Sequence, residues 1–241
     1  MLREAFDKLG PWTRPGRLKL FIGHYGPAYA IKRWQPEIPI FTLFIAVQLV
    51  DVAWAIFVPL GIEKVRIVPG ITASNPLDLY YMPYTHSLVA AVLWSVVGGV
   101  VFALLKHRQR CTRIAFAVGA AILSHWLLDY LVHRPDLPLY DNTAKVGLGL
   151  WNYPMPAFAL EIGSVLAGLL IYLSGSAPRD AIGRFGPWVF LAAMVAVQSI
   201  AFFGKPPETP NQAAVTALVM YVVLAGAAAW LDRHRTWKLN R

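Results

Sequence analysis

Six apolar runs, each about 20 residues long and so matched to the hydrocarbon thickness of a bilayer, alternate with short polar or basic stretches along this chain. They cover Ile38–Leu60, Thr85–Leu105, Ile114–His133, Met155–Leu173, Pro187–Phe203 and Ala213–Leu231. A seventh segment, Leu18–Ile31, is too short to span. It contains Gly23-His24-Tyr25-Gly26-Pro27 and is followed by Lys32 and Arg33. Pro27 breaks or kinks a helix there, so a short helix lying at the interface or re-entering the membrane is expected. The connections carry turn signals, including Pro69-Gly70 and Asn75-Pro76 in the Gly61–Pro83 loop. Arg134–Pro154 is a polar loop ending in Trp151-Asn152-Tyr153, aromatics suited to the headgroup level. Ser174–Gly186 and Gly204–Asn211 are short loops. The expected fold is all-α, a polytopic membrane helix bundle in one domain, 1–241. It divides into a basic lead with the interfacial helix (1–36), a six-span bundle (37–232) and a basic tail (233–241).

Composition agrees with that pattern. Hydrophobic residues make up 57% of the 241 and charged residues only 15%, with mean hydropathy +0.50; a soluble domain carries about 25% charge. The net charge of +9 does not point to nucleic acid, because the basic residues sit between the apolar runs. With both termini inside, 17 of the 22 Lys and Arg fall on the inner side and 5 on the outer, the bias expected of an inner-membrane protein with cytoplasmic termini. Cys111 is the only cysteine, so no intrachain disulfide forms. The first twenty residues lack an apolar core, so no cleavable signal peptide is expected.

The chemistry lies in the polar residues inside the runs. An ionisable side chain in a span costs at least about 2.5–3.5 kcal/mol unless it meets a partner or a wet cavity. In Ser124-His125-Trp126-Leu127-Leu128-Asp129-Tyr130-Leu131-Val132-His133, helical spacing gathers His125, Asp129 and His133 within an arc of about 80°. His125 and Asp129, one turn apart, can share one divalent ion. His133 lies about 12 Å along the axis from His125 and suits a rim, a second ion or a substrate contact. In the N-in, C-in topology, Asp51 lies about 20 Å and His125 about 17 Å from the inner ends of their spans, and Glu161 about 9 Å below an outer end. His86 opens the second run from its outer end. Asp51, His86, His125, Asp129 and Glu161 thus share the outer half of the bilayer on four helices. His24 precedes the first run on the apparent inner side, so spacing alone leaves it out.

Gly23-His24, Leu49-Val50-Asp51, Tyr84-Thr85-His86-Ser87-Leu88 and Ser124-His125 with Asp129 resemble, in order and approximate spacing, the motif series of the inner-membrane metal-dependent hydrolases, the LexA-associated, membrane-bound hydrolase type. The likeness covers residues 23–129, about half the chain. It implies that His24, Asp51, His86, His125 and Asp129 are metal ligands, and so restores His24. Two departures stand out. Ala53 occupies the position where the family usually has a second Asp, and Tyr81-Met82-Pro83-Tyr84 replaces its usual His-Arg-Gly. These imply one ion rather than two, or a different substrate.

Three His and two carboxylates suit Zn, or Mn if further oxygens join. Such an ion activates water and polarises a phosphoryl or acyl oxygen. Glu161 is the candidate proton acceptor by depth, and His133 a candidate at the substrate. A site below the headgroups of the outer leaflet points to membrane lipids as partners, with a lipid phosphoester or lipid-linked phosphate as substrate. No Gly-rich phosphate loop, Gly-x-Ser-x-Gly elbow or His-Glu-x-x-His is present, against nucleotide hydrolases, serine hydrolases and zincins. The alternatives are an ion- or proton-coupled transporter using the same cluster and a non-catalytic membrane scaffold with a closed structural metal site.

Overall fold

The structure is a computed structural model that describes residues 22–106, 111–205 and 207–237. The expected basic lead 1–18, His107, Arg108 and Arg110 of the basic loop, and Lys238 and Arg241 of the tail lie outside the described residues. Eight α-helices and two small two-stranded sheets make up the described regular structure, apart from single 3-10 turns. A 3-10 turn, Ile22–His24, leads into α1 (Tyr25–Trp34); α2 (Ile40–Ala46) and α3 (Leu49–Phe57) follow. The strands β1 (Lys64–Ile67) and β2 (Leu77–Tyr81) pair antiparallel. Then come α4 (Leu88–Lys106), α5 (Cys111–Val132), α6 (Pro154–Ser174), β3 (Ser176–Pro178), α7 (Ala181–Phe203), α8 (Pro210–Arg233) and β4 (Arg235–Trp237), the last strand pairing with β3. Five helices, α4 to α8, are long and apolar enough to cross a membrane, and α2 with α3 makes a sixth if the bent pair counts as one span. This is an integral membrane helix bundle.

The first apolar run is therefore not one straight helix. It breaks at Val47–Gln48 and bends by 55°. Broken helices persist at membrane depth only where the freed backbone is buried in protein or faces a cavity, and here it is built into the polar site. The Gly61–Pro83 stretch, expected to be a loop, holds the β1–β2 hairpin. Val65 points inward between exposed Lys64 and Arg66, while Leu77, Asp78 and Leu79 are buried, and the short alternation of β1 is obscured by the turn residues around it. The run expected to begin at Pro187 starts six residues earlier, because the Asp180 carboxylate caps α7 by accepting from Gly183 N at 2.8 Å.

The short N-terminal helix takes the inward course of the two that were expected. Its buried face packs on α6, where three features fix it. The Glu161 carboxylate accepts from Gly23 N at 2.7 Å, and Ser164 Oγ donates to Gly23 O at 2.8 Å. Gly26 and Gly168 let the two backbones meet: a Cβ at Gly26 would lie 2.5 Å from Ser164 Oγ, and one at Gly168 2.6 Å from Gly26 Cα. Small residues at a crossing are the usual means of close helix approach in lipid. On the far side Tyr25 and Tyr29 pack against Phe44 of α2 at ring-centroid distances of 4.5 and 5.1 Å. His24 is thereby held inside the bundle, at the site end of α1.

Candidate metal centre

Four elements deliver the polar residues. His24 ends the 3-10 turn before α1; Asp51 sits in the first turn of α3, just past the break; His86 lies two residues before α4; His125 and Asp129 lie one turn apart on α5. All five are buried, at 7% exposure or less. Their reactive atoms converge. His24 Nε2 lies 3.2 Å from Asp129 Oδ1, and His125 Nε2 lies 3.2 Å from Asp129 Oδ2. His86 Nε2 is 3.1 Å from Asp51 Oδ1 and 3.7 Å from Asp129 Oδ2, while His125 Nε2 is 3.5 Å from Asp51 Oδ1. Two sets of three, His24–His125–Asp129 and Asp51–His86–His125, each bring one ligand atom per residue within 4.8 Å of the others. The rings of His24 and His125 lie 4.1 Å apart.

The outer nitrogens define which way the rings face. His125 Nδ1 lies 2.8 Å from Val47 O. A carbonyl only accepts, so Nδ1 carries the proton. Val47 O is available because the α2–α3 break falls there. His133 Nδ1 lies 2.9 Å from Asp136 Oδ1, and that carboxylate also accepts from Arg134 Nε at 3.0 Å. Arg134 in turn reaches Asp78 of β2, which ties the hairpin to the site. His86 Nδ1 lies 2.7 Å from Thr85 Oγ1, whose hydroxyl donates to Glu63 Oε2 at 2.6 Å. Tyr221 of α8 donates its hydroxyl to Asp51 Oδ2 at 2.6 Å. Such outer partners are what orient metal-binding imidazoles and carboxylates.

With Nδ1 protonated and the ring neutral, Nε2 presents a lone pair, and in His86, His125 and His133 it faces a carboxylate oxygen. His125 Nε2 and Asp129 Oδ2 are fully buried and make no hydrogen bond among the described residues, although 3.2 Å apart. Two buried bases so placed need a cation or a proton between them. The residues could hold a metal ion. Ligands about 2.0–2.1 Å from a tetrahedral ion lie about 3.3 Å from one another, and the four His–Asp distances that join His86 and His125 to Asp51 and Asp129 run from 3.1 to 3.7 Å.

A small cavity of about 40 Å³ adjoins the cluster, with Asp51, His86, Asp129, His133 and Tyr221 on its polar side. Trp54, Leu77, Leu79, Trp151 and Ala217 close it. That volume holds a water or two. His133 Nε2 stands 3.7 Å from Asp129 Oδ2 and faces this cavity, as a rim residue does. Glu161 does not line it; its carboxylate is turned to Gly23 N, one residue before His24, where it positions the 3-10 turn rather than reaching a substrate. Trp151 is not at the headgroups. It is 1% exposed and packs on His133 with ring centroids 4.0 Å apart, while Tyr153 is 62% exposed.

Glu63, Asp136 and Tyr221 were not singled out by sequence. Asp136 stands three residues from His133 and was legible as a neighbour. Glu63 and Tyr221 carry no sequence signal, because 22 and 170 residues separate them from Thr85 and Asp51. No family model, no curated protein and no solved structure matches the chain.

Proposed function

We propose that this protein is a membrane-embedded metal-dependent hydrolase whose substrate is a lipid phosphoester or lipid-linked phosphate. The observation that carries the reading is the convergence of buried imidazole lone pairs on two carboxylates, with each ring of His86, His125 and His133 anchored through Nδ1. His24, Asp51, His86, His125 and Asp129 would hold one divalent ion, Zn first on its preference for nitrogen with a few oxygens and Mn if waters complete the shell. The motif likeness to the LexA-associated membrane hydrolases points the same way.

Such an ion lowers the pKa of a water toward about 7 and polarises a phosphoryl or acyl oxygen. The protein's share is placement. Val47 O, Thr85 and Tyr221 fix the ligands, and the cavity wall of Leu77, Leu79 and Trp151 limits water. His133, backed by Asp136, faces the cavity beside Asp129 and is the group set to meet a leaving oxygen. The basic bias puts both termini in the cytoplasm and the site in the outer half of the inner membrane. A reporter after Arg241 should read cytoplasmic and one near Asn142 should not; a cytoplasmic signal at Asn142 reverses the orientation.

The deciding experiment is metal content per chain on detergent-purified protein, followed by phosphate release from phospholipid in mixed micelles. Bound Zn or Mn with release supports the hydrolase. One observation favours a second reading: the 55° break beside Asp51 is the kind of discontinuous helix that forms ion sites in carriers. Protein without a transition metal, no phosphate release, and proton- or Na⁺-driven uptake in proteoliposomes would put the transporter first.

A further inference from the structure

We infer that Glu63 is a positioning residue that sets the tautomer of His86 through the Thr85 hydroxyl. Three rings of the cluster have a defined outer partner, and two of those partners can only accept: the Val47 carbonyl at His125 and the Asp136 carboxylate at His133. The third, Thr85 Oγ1 at His86, is a hydroxyl that can donate or accept. Left to itself it would satisfy either tautomer. A second carboxylate stands behind this one hydroxyl. Glu63 is 1% exposed and Thr85 fully buried. Glu63 Oε1 accepts from Tyr84 N and Thr85 N, both at 2.9 Å, and Oε2 accepts from Thr85 Oγ1 at 2.6 Å. The two backbone donors lock the carboxylate in place. Its remaining oxygen takes the only proton the hydroxyl has, so the hydroxyl must accept from His86 Nδ1–H. The neutral ring then has a bare Nε2, 3.1 Å from Asp51 Oδ1.

That polarity is costly without a cation, because the ring lone pair faces an anion. The opposite tautomer would give Asp51 a good hydrogen bond and could not bind a metal. Glu63 therefore spends a buried charge on holding the less comfortable tautomer, which has a purpose only if something electrophilic sits at Nε2. The consequence for metal rests on the metal reading above; the tautomer itself does not.

Glu63→Gln is the test, since it keeps shape and reverses polarity. The backbone N–H pair retains the amide oxygen, so the NH₂ replaces Oε2 and can only donate. The Thr85 hydroxyl then accepts from it and donates to His86 Nδ1, and the ring proton moves to Nε2. Ring ¹⁵N shifts of His86, recorded on metal-free detergent-purified protein at a pH where the ring is neutral, should show Nδ1–H in wild type and Nε2–H in Glu63→Gln. Titration with Zn²⁺ should show affinity lower by about 10–100-fold, the usual scale for losing such an outer partner. Thr85→Ser should keep the wild-type tautomer and affinity, and Thr85→Val should lose both. A folded Glu63→Gln with His86 still protonated on Nδ1 overturns the inference. If Glu63→Gln does not fold, a Thr85→Val protein with wild-type tautomer and affinity overturns it equally. If wild type takes up no Zn²⁺, the metal reading fails, and the ¹⁵N comparison still decides the role of Glu63.

Discussion

Two of the polar clusters among the described residues lie at opposite ends of α1. His24, in the 3-10 turn that leads into it, enters the candidate metal centre, and Lys32, about 12 Å further along, enters the other. Around Lys32 the cationic groups meet an anion or hydrogen-bond acceptors. Its Nζ donates to Pro36 O at 2.7 Å and Ile38 O at 2.9 Å and pairs with Asp232 at 3.2 Å. Tyr172 donates to Asp232 at 2.8 Å, and buried Arg235 donates to Ser176 Oγ, Ser176 O and Gly183 O. There, donors face acceptors. In the His/Asp cluster the Nε2 atoms of neutral imidazoles face carboxylate oxygens, and a cation or a proton is needed between them. Burial and ionisable residues are common to both ends. What separates a structural cluster from a candidate site is the direction of the lone pairs.

The comparison breaks hardest at Asp129. Asp129→Asn keeps size and removes the charge opposite four imidazoles, those of His24, His86, His125 and His133. Metal content should fall from near one ion per chain to background, and the chelator-induced drop in melting temperature expected of wild type should vanish. Wild type stabilised by metal at 100 times its Kd gains about 2.7 kcal/mol, so the chelator effect is measurable. An Asp129→Asn protein with full metal would make the two clusters alike. Next comes the opposite end. Asp232→Asn leaves buried Lys32 with two carbonyls and the Trp237 ring but no carboxylate partner at 3.2 Å and should cost about 3 kcal/mol, as breaking a buried pair does, read as a lower melting temperature with unchanged metal content.

Smaller effects sharpen the boundary of the site. Tyr221→Phe deletes the hydroxyl that holds Asp51 and should weaken Zn²⁺ binding about tenfold while costing about 1 kcal/mol of stability; calorimetric titration and a melt separate the two. His133→Ala should have the least effect on metal, leaving content at the wild-type level and lowering only phosphate release. Loss of the ion in that variant would move His133 from the rim into the ligand set.

The spans were legible because lipid admits only long apolar helices, and periodicity with length reports those directly. α5 shows the limit. Its apolar run and the one-turn spacing of His125 and Asp129 could be read off the chain, whereas the reach of His133 toward Asp129 depends on side-chain direction. The broken first run was illegible, since Val47 and Gln48 lie in an apolar stretch with no Gly or Pro between Ile40 and Phe57. Glu161 was read as a base by depth alone. Depth does not say which way a carboxylate turns, and here it turns to Gly23.

By itself the sequence determined the class of fold and the pairing of His125 with Asp129. These follow from local periodicity and from the cost of charge in lipid, which act within one helix. The tertiary structure alone decided that His24 reaches the centre, that Val47 O is free to orient His125, and that Glu63, Asp136 and Tyr221 stand behind the ligands. Each of those depends on a contact between chain segments that packing brings together, and the direction of a hydrogen bond is fixed only when both of its ends are in place.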